Sequence, residues 1–334
     1  MSDKFHIQWH ITDMCNLRCR HCYQENFSKS SELSLDELKI VLGNVISTIK
    51  KWRKRLVINV TGGEPLLKND LFPLMELLDN ETEIIELAII TNGLFINSSS
   101  LEKLSHHKKL KTLKISIDGA NEKTNDSIRG NGTFKKIIEN INLVKDNYDF
   151  KIILMFTLMK KNYREIPQLI DLAESLNVDG IILERFIPLR TGKKIKEEVL
   201  SKNDWKEVLE ILSSIFAINH ITELASYHAF YLRLDTEETE LLGAPCIIGR
   251  DGLCVMPDGS VLPCRRFPIP IGNLLDRSLI QIWENSELLK KLTDKYLLKG
   301  KCKKCPIEDC TGCRSMALSI TGDFLAEDPH CILY

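Results

Sequence analysis

From Phe5 to about Pro188, short apolar runs alternate with longer amphipathic stretches. The runs Phe5 to Thr12, Leu56 to Thr61, Ile84 to Thr91, Leu110 to Ile117, Phe150 to Leu158 and Gly180 to Ile187 are rich in Ile and Val and show little polar alternation. That is the pattern of parallel strands buried on both faces. Between them, Ser34 to Lys51, Asn69 to Leu78, Ser98 to His107, Thr133 to Lys145 and Asn162 to Leu176 read as helices. Ser34 with Glu37 three residues later forms a capping box, which sets the first helix start. Six strand-helix repeats predict an α/β fold, a parallel sheet curled into a partial (β/α)6 barrel with the helices outside. After Pro188 the rhythm stops. Residues 189–244 read as a bridge with one helix, Asn203 to Phe216, and an acidic solvated stretch, Asp235 to Glu240. Tyr227, His228, Tyr231 and Arg233 are expected mostly to pack this bridge. Met256-Pro257-Asp258-Gly259 then predicts a hairpin turn.

Composition narrows the function classes. With 45 Lys+Arg against 46 Asp+Glu, the chain lacks the basic excess of a protein that grips nucleic acid or anionic membrane through its whole surface. The longest apolar run, Ile152 to Met159, is far below the ~18 residues of a spanning helix, and no signal peptide is visible. A soluble, cytoplasmic protein is expected. In that reducing setting, 11 cysteines read as metal ligands rather than disulfides, and their odd number excludes complete pairing. They fall in two groups: Cys15, Cys19 and Cys22 near the start, and eight from Cys246 to Cys331. Two modules with separate work are expected, at 1–188 and 245–334, joined by the bridge.

In parallel α/β folds the chemistry gathers where strand carboxyl ends meet the following loops. The first strand is followed by Asp13-Met14-Cys15, the second by Gly62-Gly63-Glu64-Pro65 and the third by Asn92-Gly93, and the fourth ends Ser116-Ile117-Asp118-Gly119. Each of these is ordinary turn chemistry by itself; on successive strands they make one rim of thiols, glycines, carboxylates and an amide. A loop with the spacing Cys15-x3-Cys19-x2-Cys22 and no fourth cysteine nearby can hold a 4Fe-4S cluster with one iron open to a cosubstrate. A zinc site completed by His21 is the alternative that the loop leaves open.

Through Cys15-Asn16-Leu17-Arg18-Cys19-Arg20-His21-Cys22 and Gly62-Gly63-Glu64-Pro65, residues 5–188 resemble the radical S-adenosylmethionine (SAM) superfamily. The resemblance implies that the open iron chelates SAM and that an electron from the cluster cleaves it to a 5′-deoxyadenosyl radical, which takes hydrogen from substrate. Such a radical needs a dry, enclosed site. It also implies that His21 lies near the adenine, that Gly62 and Gly63 let the backbone approach SAM, and that Glu64 accepts from its ammonium. Ser116 and Asp118 would lie near the ribose and methionine part, and Arg129 would pair with the SAM carboxylate. Asn92 either contributes or only makes the turn.

Cys302-x2-Cys305-x4-Cys310-x2-Cys313 alone has the form of a four-cysteine zinc ribbon. With Cys246, Cys254, Cys264 and Cys331, the order resembles instead the SPASM domain of radical SAM enzymes, which binds two auxiliary 4Fe-4S clusters. By that resemblance Cys246, Cys254, Cys264 and Cys313 hold one cluster, and Cys302, Cys305, Cys310 and Cys331 the other. Together with SAM, three clusters use every cysteine. The leading expectation is a maturase that modifies a peptide or protein, with the auxiliary clusters in electron transfer and a low-potential donor such as a flavodoxin or ferredoxin. The cysteine motif starts at residue 15, so no N-terminal leader-recognition domain is expected. The second expectation is a small-molecule enzyme such as a tetrapyrrole decarboxylase of haem synthesis, whose C-terminal Gly-Asp-x-x-x-x-Asp-Pro-x-Cys the chain resembles; Arg185 and Arg190 at the barrel mouth would suit carboxylates. A non-catalytic zinc adaptor is the third. Seven lysines between 290 and 304 are expected to be mainly solvated.

Overall fold

The computed structural model describes residues 3–236 and 239–333, so Glu237 and Glu238 of the acidic stretch lie outside the described residues. The strands are β1 (Lys4–His10), β2 (Arg55–Thr61), β3 (Ile84–Thr91), β4 (Leu110–Ser116), β5 (Lys151–Leu158) and β6 (Gly180–Arg185). They lie side by side in chain order, all parallel. The helices are α1 (Leu35–Trp52), α2 (Leu71–Asn80), α3 (Ser98–Ser105), α4 (Glu122–Arg129), α5 (Thr133–Asn147), α6 (Ile166–Ser175) and α7 (Lys202–Ile215). The predicted capping box starts α1: Ser34 N–H donates to Glu37 Oε2 at 2.8 Å while Glu37 N–H reaches Ser34 Oγ. One face of α1, including Val41, Val45 and Ile49, is completely buried in the core that it shares with Phe5, Ile7 and Trp9 of β1. The alternate residues of β1, His6 and Gln8, line a cavity together with Asn59 of β2, Lys114 of β4, Met155 of β5 and Glu184 of β6. Strands so far apart in the sheet can line one cavity only if the sheet curls, which makes the parallel array a partial barrel.

The sheet does not stop at the expected module boundaries. In the bridge, β7 (Ala229–Arg233) pairs antiparallel with β6, and β8 (Glu240–Ala244) with β7. At the other edge, β9 (Gly252–Val255) pairs parallel with β1 and turns through residues 256–259 into β10 (Ser260–Leu262), followed by β11 (Gly272–Asn273). The predicted hairpin is therefore also the cover of the β1 edge. Four short helices, α8 (Leu279–Asn285), α9 (Glu287–Thr293), α10 (Gly300–Lys304) and α11 (Arg314–Thr321), frame the cysteine-rich end. No helix among the described residues is long and apolar enough to cross a membrane.

The bridge aromatics mostly pack, as expected. Tyr231 lies where a Cβ on Gly180 would come within 2.4 Å of its ring, and Tyr227 covers Gly243 in the same way. Arg233 pairs with Glu240 at 2.9 Å in solvent.

Candidate active site

The loop after β1 has no regular secondary structure, so other groups hold it. Gly63 N–H donates to Thr12 O at 2.8 Å, and Glu64 N–H to Met14 O at 2.7 Å. A Cβ at Gly62 would lie 2.4 Å from Thr12 O, and one at Gly63 2.2 Å from Met14 O. The two glycines are thus required by the approach of β2's end to the cysteine loop, whatever they do for a cosubstrate. Arg20 N–H donates to Ile128 O at 3.0 Å, tying the loop to α4. Leu17 N–H and Gln24 N–H each lie 3.4 Å from a sulfur, that of Cys15 and of Cys22 respectively.

Glu64 is fully buried and does not line the cavity. Its Oε1 accepts from Thr91 Oγ1 at 2.7 Å and Leu66 N–H at 3.2 Å, and its Oε2 accepts from Asn92 N–H at 2.8 Å. Its carboxyl group braces the ends of β2 and β3. Burial pushes its pKa up to about 7, against the pull of these three donors. Asn92 does more than turn the chain: its Nδ2 donates to Asn16 Oδ1 at 2.8 Å and sits 3.8 Å from Cys15 Sγ.

Asp118 is also withdrawn from the cavity. Its Oδ2 lies 2.7 Å from Arg129 Nε and 3.3 Å from His21 Nε2, as an ion pair without a directed hydrogen bond to Arg129. Its Oδ1 accepts from Thr157 N–H at 2.9 Å. Sequence reasoning did not find α4, which is short and polar with a single buried aliphatic residue, Ile128. It is fixed by Asn125, whose Oδ1 accepts from Asp118 N–H at 3.0 Å and whose Nδ2 reaches Thr133 Oγ1 at 2.9 Å. That placement turns Arg129, on the last turn of α4, inward to line the cavity beside His21. Ser116 lines it as well.

The cavity opens to solvent and spans about 2200 Å³ of empty space, its open mouth included. Cys15, Cys19 and Cys22 line one part of it, and Cys246, Cys254, Cys264 and Cys313 another. A second, smaller cavity of about 470 Å³ is lined by Cys302, Cys305, Cys310 and Cys331. Among the described residues, no three His, Cys, Asp or Glu side chains gather closely enough to hold a single metal ion. Thiols spread around a cavity suit a cubane cluster better than one zinc. Burial pushes the thiols of Cys19 and Cys246 each up to about 12, so they need the positive charge of iron to ionise at neutral pH.

Asp328 joins the two cavities. Its carboxylate receives Arg185 in a two-point pair at 3.3 and 3.2 Å and accepts from Cys313 N–H at 2.8 Å, while its own N–H points at Cys302 Sγ, 3.4 Å away. Arg185 is therefore already paired, and Arg190 lies outside the cavity in a surface pair with Glu25 at 3.1 Å. Neither is the free carboxylate site that the sequence led one to expect. Sequence reasoning missed Arg265 and Arg266, which both line the cavity; the signal was two arginines directly after Cys264.

A Radical SAM superfamily profile matches residues 9–173, and a SPASM iron-sulfur cluster-binding domain profile matches residues 246–314. An AdoMet-dependent heme synthase of Methanosarcina barkeri is 30% identical over 98% of this chain and 95% of its own length. The chain belongs to the radical SAM superfamily. It is an enzyme of that superfamily with a C-terminal SPASM domain, and its cofactors are SAM and 4Fe-4S clusters, of which three are typical for this pair of domains. An Fe-coproporphyrin III synthase, also of Methanosarcina barkeri, is 27% identical over 98% of this chain and 87% of its own. Among solved structures, Streptococcus suis SuiB bound to precursor peptide SuiA shares the fold, with a TM-score of 0.75 at 18% identity over 99% of this chain and 76% of that one.

Proposed function

We propose that this radical SAM enzyme acts on the carboxylate side chains of a tetrapyrrole. The observation that carries the reading is the charge of the large cavity: Lys114, Arg129, Arg185, Arg265 and Arg266 line it, and while Arg129, Arg185 and Arg266 pair with Asp118, Asp328 and Glu184, Lys114 and Arg265 form no salt bridge among the described residues. A multiply carboxylated ligand suits such a wall, because guanidinium groups bind carboxylates in two-point pairs. The two Methanosarcina relatives, which match nearly the whole chain, bear names from tetrapyrrole synthesis. This moves the balance from peptide maturation to the second expectation.

On this reading Cys15, Cys19 and Cys22 hold the SAM-binding cluster, Cys246, Cys254, Cys264 and Cys313 a second, and Cys302, Cys305, Cys310 and Cys331 a third. When bound, SAM and its cluster supply a 5′-deoxyadenosyl radical. The chain's own residues orient and enclose. His21, Gly62, Gly63, Asn92, Ser116 and Arg129 face the cosubstrate, with Asp118 fixing both Arg129 and His21, and Glu64 holding the rim in register. Removing one hydrogen atom and CO2 from a propionate leaves a vinyl group and releases one electron. The cysteine cavities beside the substrate space are suited to hold its acceptor.

The test is anaerobic turnover of the reconstituted enzyme with SAM, a reductant and either iron coproporphyrin III or a peptide encoded beside the gene. Mass spectrometry should find a decarboxylated porphyrin and an unchanged peptide. A modified peptide with intact porphyrin would establish the maturase reading instead.

A further inference from the structure

A guanidinium is always charged in a protein, so a buried one needs an anion or several acceptors. Among the described residues, the buried and half-buried arginines of this enzyme obey the rule with one exception. Arg129 faces Asp118, Arg185 faces Asp328, Arg266 reaches Glu184 at 3.1 Å, and Arg314 donates to Phe324 O and Ala326 O at 2.8 and 2.6 Å. Arg265, only 5% exposed, has no carboxylate within salt-bridge distance among the described residues; Asp13 and the thiols of Cys22 and Cys254 act on it electrostatically from farther away. Its Nε donates to His10 Nδ1 at 3.3 Å, and its guanidinium lies over the Tyr23 ring, 4.1 Å from the centroid. His10 is completely buried, accepts through Nδ1 and so carries its proton on Nε2, which makes it a neutral support. Tyr23 and His10 fix the plane and one edge of the guanidinium. Among the described residues the two terminal nitrogens have no hydrogen-bond partner, and the side chain lines the large cavity.

We infer that Arg265 is the anchor for a carboxylate of the substrate, an inference that rests on the tetrapyrrole reading above. A planar fork with both outer nitrogens free matches a carboxylate in a two-point pair. Its place in the fold distinguishes this anion from that of SAM. The groups proposed to face SAM come from the loops after β1 to β3, from β4 and from α4, whereas Arg265 follows Cys264 at the end of the β9–β10 hairpin. From there it reaches across to Tyr23, beside Cys22, so a substrate held by Arg265 spans the space between the SAM loop and the SPASM cysteines.

The experiment compares the wild type with Arg265→Gln and Arg265→Lys, each reconstituted with iron and sulfide. Three quantities are measured: Soret titration with iron coproporphyrin III and with its tetramethyl ester, SAM affinity, and iron content with the electron paramagnetic resonance of the clusters. Arg265→Gln should weaken iron coproporphyrin III binding at least tenfold, with Arg265→Lys in between. The ester, which has no carboxylate, should bind all three proteins alike. SAM affinity and cluster signals should be unchanged. Equal porphyrin affinity in wild type and Arg265→Gln overturns the anchor while leaving the tetrapyrrole reading intact. Loss of SAM affinity or of a cluster signal with porphyrin binding unchanged overturns it as well, because the guanidinium would then serve those groups. A wild type that binds no porphyrin overturns both the reading and the anchor.

Discussion

Glu64 is surrounded by three donors in a site with no solvent, and the two influences oppose each other. Burial favours the neutral acid and the donors favour the anion; burial wins, with a pKa of about 7. A carboxyl whose folded pKa is raised contributes its stability in full below the unfolded pKa near 4.5 and loses it as pH rises through about 7. The loss is on the order of 3 kcal/mol. In Glu64→Gln the group is neutral at every pH, so the stability difference, wild type minus variant, should fall from about pH 4.5 to about pH 7 and then level off. The amide nitrogen must also replace Oε2, the oxygen facing Asn92 N–H, which sets two donors against each other and costs about 1–3 kcal/mol at pH 5. Denaturant melts across this pH range measure both effects. A difference that stays constant with pH would show that Glu64 is ionised throughout.

Among the elements, the glycine turn after β2 and the helix α1 make opposite predictions for the same substitution. Gly43 lies within α1 with nothing within 4 Å of a Cβ, so Gly43→Ala should stabilise the protein by about 0.5–1 kcal/mol. Gly63→Ala would drive a methyl group into Met14 O and displace the loop that carries Cys15. It should lose the SAM-binding cluster as well as stability, read as reduced iron content and a lower melting temperature; normal iron content in Gly63→Ala would contradict the role given to this turn. The strand and helix rhythm was legible because buried parallel strands and amphipathic helices such as α1 leave strong periodic patterns. The helix α4 left none, since it is short, polar and held by Asn125 and Asp118 from outside its own sequence. The strand β8 was hidden for a related reason: it alternates exposed and half-buried residues at a sheet edge. Arg129 was found through its motif, but its partner was not, because the Asp118 pairing depends on how α4 packs. Arg185 looked free from sequence because its partner, Asp328, lies 143 residues away.

Over the whole molecule, one sheet of eleven strands joins the barrel, the bridge and the start of the SPASM region. Its curl sets three cysteines of the first module in one cavity with four of the second, which a pair of separately packed domains would not require. Fully loaded protein should contain about 12 iron and 12 sulfide per chain. Replacing Cys15, Cys19 and Cys22 by alanine should abolish reductive SAM cleavage; replacing Cys302 and Cys305 should remove about a third of the iron, keep SAM cleavage measurable and impair turnover. Unchanged 5′-deoxyadenosine formation in the triple variant would refute the assignment of the first cluster. Hydrogen transfer from the proposed substrate is the most direct test that the enzyme acts on a tetrapyrrole. With iron coproporphyrin III deuterated in its propionate side chains, the 5′-deoxyadenosine formed should carry deuterium in proportion to decarboxylated product; unlabelled 5′-deoxyadenosine beside intact porphyrin would contradict it.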